Sequence, residues 1–143
     1  SYVMNNYWHT NYKADQEGML TFRYSLQPHG EFLVEDVVRF GMGQREPLIA
    51  LAAAGQAKTD NALFEMESYS ILAISTKLIG TKGAWLLCLY NPTALPHTVS
   101  LEWNRSIPVS FHASDAFGRI GESFEGGIQV HAYGTVFVRV DKK

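Results

Sequence analysis

Apolar and polar positions alternate at two different periods along this chain. Leu20, Phe22, Tyr24 and Leu26 are separated by Thr21, Arg23 and Ser25, the two-residue period of a strand that buries one face. Residues 2–9 read as a second strand. With the turn-rich residues 11–18 between them, the two arms (residues 2–9 and 19–27) predict a β-hairpin closed by Pro28 and Gly30. From Glu31 the period changes: Leu33, Val37, Val38 and Phe40 take helical spacing, predicting about three turns of helix. Glu31, Glu35 and Asp36 lie toward its start and Arg39 and Arg45 toward or past its end, the charge order favoured by the helix dipole, with Gly41 and Gly43 at its fraying end.

Residues 47–61 are rich in alanine but are preceded by Pro47 and interrupted by Gly55. They read as an extended connector, although alanine propensity favours a helix. The expected domain boundary falls in this connector, between residues 58 and 59. Beyond it, short strand-like runs separated by turns predict an antiparallel sandwich. The clearest runs are residues 63–67, 70–79, 84–90, 98–103, 109–113 and 135–140, with residues 128–132 expected to pair with the last of these. Gly80 to Gly83 reads as a tight turn, and Asn91-Pro92 opens the next one, where proline removes a ladder donor. The fold class is therefore all-β, an antiparallel β-sandwich with one short helix.

Composition narrows the functional classes. Hydrophobic residues make up 46% and charged residues 18% of the 143 positions, the balance of a globular chain and not of a disordered one. The net charge is −2 with no block of lysine or arginine, which removes nucleic acid as an expected partner. No apolar run approaches the roughly 18 residues needed to span a bilayer, so no membrane partner is expected either. The single cysteine, Cys88, sits in an apolar run and reads as an inert core thiol.

Candidate chemistry concentrates in residues 4–18. Tyr7, Trp8 and Tyr12 offer flat aromatic faces, and Asn5, Asn6, His9, Thr10, Asn11, Lys13, Asp15, Gln16 and Glu17 offer donors and acceptors. That mixture suits a polyhydroxylated ligand, while a solvated hairpin loop is the alternative reading. The histidines at 9, 29, 97, 112 and 131 lack the close His or Cys spacing of a preformed zinc clamp. Asp15 and Glu17 are the only carboxylate pair near the aromatic cluster, but an exposed loop supplies no desolvation to make one a general acid. No nucleophile elbow, phosphate-binding glycine loop or HExxH helix is present.

The phrase Asn5-Asn6-Tyr7-Trp8-His9-Thr10-Asn11-Tyr12, followed by Glu17-Gly18 and Phe22-Arg23-Tyr24-Ser25-Leu26, resembles the late part of bacterial family 38 glycoside hydrolases, the α-mannosidases. Residues 32–50, with Arg45-Glu46-Pro47-Leu48, and the run Leu87-Cys88-Leu89-Tyr90-Asn91-Pro92-Thr93 follow in the same order as in that family's C-terminal region. The resemblance extends over nearly the whole chain and is weaker from residue 104 onward. It implies that residues 1–58 end a larger sandwich, through hairpin, helix and linker, and that residues 59–143 form a small C-terminal sandwich. It further implies a zinc-dependent retaining α-mannosidase in which nucleophile, acid and zinc ligands all belong to an N-terminal barrel. None of those motifs occurs here, so no catalytic residue and no cofactor is expected within this chain.

Carried over residue by residue, the polar hairpin makes His9, Asn11, Tyr12, Lys13 and Asp15 the candidates to border the mannose site. The implied partners are the N-terminal catalytic domain of the same polypeptide and a mannose-containing oligosaccharide, in a bacterial cytoplasmic setting. Two other readings stand beside this one. The first is an independent carbohydrate-binding module that stacks sugars on Tyr7, Trp8 and Tyr12, and the second is a structural or homo-oligomeric sandwich with a large apolar surface covered by a neighbour.

Overall fold

Twelve residues, Val34–Arg45, form α1. Its first turn carries Glu35 and Asp36 and its last turn Arg45, the expected dipole order. The helix runs through Gly41 and Gly43, two residues past the expected fraying point, and ends where Glu46 donates its backbone N–H to the Met42 carbonyl. This computed structural model describes residues 17–46, 62–80, 83–103 and 108–143.

The chain separates into two units, Ser1–Gly30 and Glu31–Lys143. In the first, the described residues 17–30 contain no strand and all are exposed. This corrects the strand expected at residues 19–27. Alternation marks a segment able to bury one face, but a strand exists only when a second one completes its ladder. The expected partner arm, residues 2–9, lies outside the described residues, and so does the expected boundary at 58/59. The second unit joins α1 to all of the strands.

Those strands are β1 Phe64–Met66, β2 Leu72–Ile79, β3 Ala84–Tyr90, β4 His97–Val99, β5 Leu101–Trp103, β6 Val109–Ser114, β7 Ile120–Ser123, β8 Ile128–Val130 and β9 Thr135–Lys142. One layer is a five-stranded antiparallel sheet in the order β2-β3-β9-β6-β7. Opposite it lie two short ladders, β1-β5 and β4-β8. Ser100 alone separates β4 from β5, so residues 97–103 serve β8 with one half and β1 with the other. The expected strand 98–103 is therefore two strands. The expected pairing of residues 128–132 with the last strand is also corrected: β8 pairs with β4, while β9 lies between β3 and β6. Strand β7 carries no buried residue and breaks alternation with Gly121 and Glu122, which is why no apolar pattern announces it.

The two layers share one core. Ile71, Leu87, Leu89, Val138 and Val140 come from the five-stranded side and Val99, Ile128 and Val130 from the other, all effectively removed from water. Trp85 of β3 meets Trp103 of β5 across the layers, ring centroids 6.1 Å apart, and Phe64 stacks on Trp103 at 6.5 Å. Strand β3 is buried on both faces: Leu87 and Leu89 point inward, while Ala84, Leu86 and Cys88 are buried on the outer face. The β6–β7 turn folds over that outer face. Gly118, buried and with φ of +82°, is so close to the Ile79 side chain that a Cβ there would collide with it, and its carbonyl accepts from Arg139 Nη1 at 2.6 Å. Glycine suits this position chiefly through its left-handed backbone, and any side chain there would also push the tip of Ile79 aside.

Candidate functional site

The site candidates His9, Asn11, Tyr12, Lys13 and Asp15, with Tyr7 and Trp8, lie outside the described residues. The part of that region that is described begins at Glu17 and continues as an exposed apolar run. Met19 is 95% exposed and Leu26 91%, and Leu20, Phe22 and Tyr24 between them are exposed as well. Soluble monomers seldom present so many large apolar side chains in succession without a neighbour to cover them.

Within the second unit, register gathers polar side chains on the outer face of the five-stranded sheet. Ser110 is opposite Asp141 and His112 opposite Arg139, so all four share that face. Arg139 grips the Asp141 carboxylate through Nε and Nη2, both at 2.8 Å. That two-pronged bond, with the nearby Arg139 and His112 charges, holds the Asp141 carboxyl below the usual carboxylate range, against the opposing effect of partial burial. His112 Nε2 lies 3.1 Å from Ser110 Oγ. A serine beside a histidine is the beginning of a nucleophile–base pair, but the carboxylate within reach is occupied by Arg139 and does not orient the imidazole.

Asp115 starts the turn that covers this face. Its Oδ1 accepts the backbone N–H of Phe117 at 2.9 Å and of Arg119 at 3.0 Å. Those backbone bonds, led by the one from Arg119, lower its pKa. Asp115 and Asp141 are thus both moved away from what glycosyl transfer asks of a general acid, whose carboxyl must keep its proton near neutrality. Burial instead pushes the Cys88 thiol up, partly offset by a hydrogen bond with Ser75, so this free cysteine is a poor nucleophile.

A third polar group is one that sequence reading missed. Asn91 is 0% exposed at the end of β3. Its amide nitrogen donates to the carbonyls of Leu95 at 2.7 Å, Val130 at 3.1 Å and His131 at 3.1 Å. Its Oδ1 accepts the Thr93 backbone N–H at 2.9 Å and lies 2.8 Å from Thr93 Oγ1, which in turn shares a hydrogen bond with His97 Nε2 at 3.1 Å. With both polar atoms of the Asn91 side chain partnered, this cluster fastens the β3–β4 connection to the β8–β9 turn. The same turn holds Tyr133 at φ of 54°, with its N–H donated to the Thr93 carbonyl at 3.0 Å.

Among the described residues no three His, Cys, Asp or Glu side chains converge as a metal-ligand set, and no helix is long and apolar enough to cross a membrane. His29 and His131 are exposed, while His97 and His112 are half-buried in separate strands. Comparison with protein-family models, with curated proteins and with solved structures returns no match.

The Arg139–Asp141 pair leads to an acid-stability prediction. The folded-state pKa of Asp141 lies below the unfolded value, near 3.8. Its contribution is therefore complete above that pH and disappears as pH falls through the lower folded value. Asp141→Asn should destabilise the protein at pH 7, and the gap from wild type should close below the unfolded pKa. Urea midpoints measured from pH 7 down to pH 2 test this, and a gap that stays constant over the range contradicts it.

Proposed function

We propose that this chain is the C-terminal, non-catalytic part of a zinc-dependent retaining α-mannosidase of glycoside hydrolase family 38. In this reading it supports the catalytic barrel of the same polypeptide and borders the sugar site through the hairpin residues His9, Asn11, Tyr12, Lys13 and Asp15. The observation that carries the reading is the exposed alternating run from Leu20 to Leu26, flanked by Met19 and Phe32, which are exposed too. Such a run suits a strand whose ladder and apolar cover are supplied by a preceding domain. The motif Asn5-Asn6-Tyr7-Trp8-His9-Thr10-Asn11-Tyr12 just before it, and the Leu87 to Thr93 run at the end of β3, are the residues that tie the reading to this family.

The chemistry assigned to the chain is positioning. The family resemblance assigns the metal and the nucleophile to the barrel. What the hairpin contributes is hydrogen bonding and aromatic stacking to sugar hydroxyls.

Two measurements test this. The 143-residue chain alone should release no aryl alcohol from an aryl α-mannoside, with or without zinc, and turnover above buffer in a preparation free of other glycosidases would overturn the assignment. In the complete enzyme, Asn11→Ala combined with Tyr12→Ala should lower kcat/KM by the equivalent of about 1 to 3 kcal/mol while leaving Tm unchanged. A double variant within twofold of wild type would remove these residues from the site.

A further inference from the structure

The polar bonds that tie α1 to the sandwich come from one side of the helix. Arg39 Nη2 donates to the Tyr69 carbonyl at 2.5 Å and more weakly to that of Ile71 at 3.4 Å, and its guanidinium carbon stands 5.0 Å from the centre of the Tyr69 ring. The Tyr69 hydroxyl donates to Asp36, and Ser70 Oγ donates to Glu35 Oε1 at 3.2 Å. All of these bonds end on three consecutive residues, 69–71. At 100° per residue Glu35, Asp36 and Arg39 lie on one side of the helix, while Leu33, Val37 and Phe40 follow the i, i+4, i+7 stripe of another. Leu33 is 41% and Val37 46% exposed, Val34, Val38, Phe40 and Met42 are half-buried, no residue of α1 is fully buried, and none belongs to the shared core.

An element docked by its apolar side is held by surface removed from water, and it leaves only when the core opens. Here the apolar side chains of the helix are at most half-buried, and the bonds from Glu35, Asp36 and Arg39 are hydrogen bonds and a cation–π contact at a partly wet boundary, where water competes for the hydrogen-bonding groups. We infer that α1 is a releasable latch: residues 34–45 detach from residues 69–71 while the sandwich stays folded, and Arg39 with Tyr69 governs the release. The core side of the joint survives the opening, because Ile71 is fully buried with β3 and β9 and stays in place when Arg39 leaves its carbonyl. This inference concerns the second unit alone and does not depend on the mannosidase reading.

Amide hydrogen exchange of the whole chain at increasing urea reads both events in one sample. Amides of α1 should exchange through an opening that is insensitive to low urea, whereas those of β3 exchange only through global unfolding. Cys88, the one cysteine of the chain and buried in β3, provides a second report on the sandwich through its reactivity toward a thiol reagent. Arg39→Ala should accelerate exchange in α1 by about tenfold or more and leave β3 exchange and Cys88 labelling unchanged. Tyr69→Phe, which keeps the ring under the guanidinium and removes the bond to Asp36, should accelerate it less. If α1 and β3 exchange with the same urea dependence, if Arg39→Ala accelerates both equally, or if neither variant alters α1, the latch is overturned.

Discussion

Truncating Leu87 to alanine should lower the unfolding free energy by about 2 to 5 kcal/mol, the range for a large side chain removed from a core unable to collapse around the gap. Leu87 is 0% exposed at the middle of β3. Its strand is paired on both sides, with Thr76 of β2 opposite on one edge and Val138 of β9 on the other. The facing layer brings Val99, Ile128 and Val130 against the same core. None of these can move into the vacated volume without breaking a ladder, so the cavity term should be near its full size. A urea melt followed by tryptophan fluorescence measures the loss, and a change under about 0.5 kcal/mol would mean that the inner face of β3 is not the centre of the core.

Replacing Asn91 should cost on the order of 2 to 4 kcal/mol, since a single substitution strips partners from several buried groups at once. Asn91→Ala leaves the Val130 carbonyl without its amide donor inside the protein, and it removes the acceptor that fixes the Thr93 backbone N–H. Asn91→Asp is the sharper variant. It keeps the shape but aims a carboxylate at the carbonyls of Leu95, Val130 and His131, which need a donor. The charged form is disfavoured there, so the introduced carboxyl has a raised folded-state pKa. The variant should therefore lose more stability as pH rises through the carboxylate range, the opposite slope to that expected of native Asp141. If Asn91→Asp melts like wild type at pH 7, the buried amide is not what fastens the two connections.

The difference between what could be read from sequence and what could not follows the distance over which each feature is decided. Strand β3 was expected at residues 84–90 and occurs there, because a glycine turn on one side and Asn91-Pro92 on the other bound an apolar run too short for a helix. The helix was legible from its period and charge order, although its extent past Gly41 was not, since glycine lowers helix propensity without forbidding the helix. Features that depend on remote partners were misread or missed. The pairing of β8 with β4 joins residues about thirty apart, and the Asn91 amide reaches carbonyls 39 and 40 residues away, so neither leaves a local pattern. For residues 19–26 the alternation is legible, yet a strand forms only against a partner, and the expected one, residues 2–9, lies outside the described residues. The polar run of residues 4–18 stands out because recognition chemistry is concentrated there, and composition cannot say which of its side chains converge in space.

The placement of β9 governs how the large sheet can assemble as the chain is made. The last of the described strands is also the middle one of the large sheet, bonded to β3 on one edge and β6 on the other. A nascent chain that has exposed everything up to Gly134 can form the β2-β3 and β6-β7 hairpins, but it has nothing to join them. Closure of the sheet must wait for residues 135–142 to arrive, and until then β3 offers an unpaired, apolar edge to any other strand nearby. Vectorial, piece-by-piece folding is thus closed to this layer. Its assembly is a single event, and the interval before residues 135–142 join the sheet is the one of greatest exposure to aggregation.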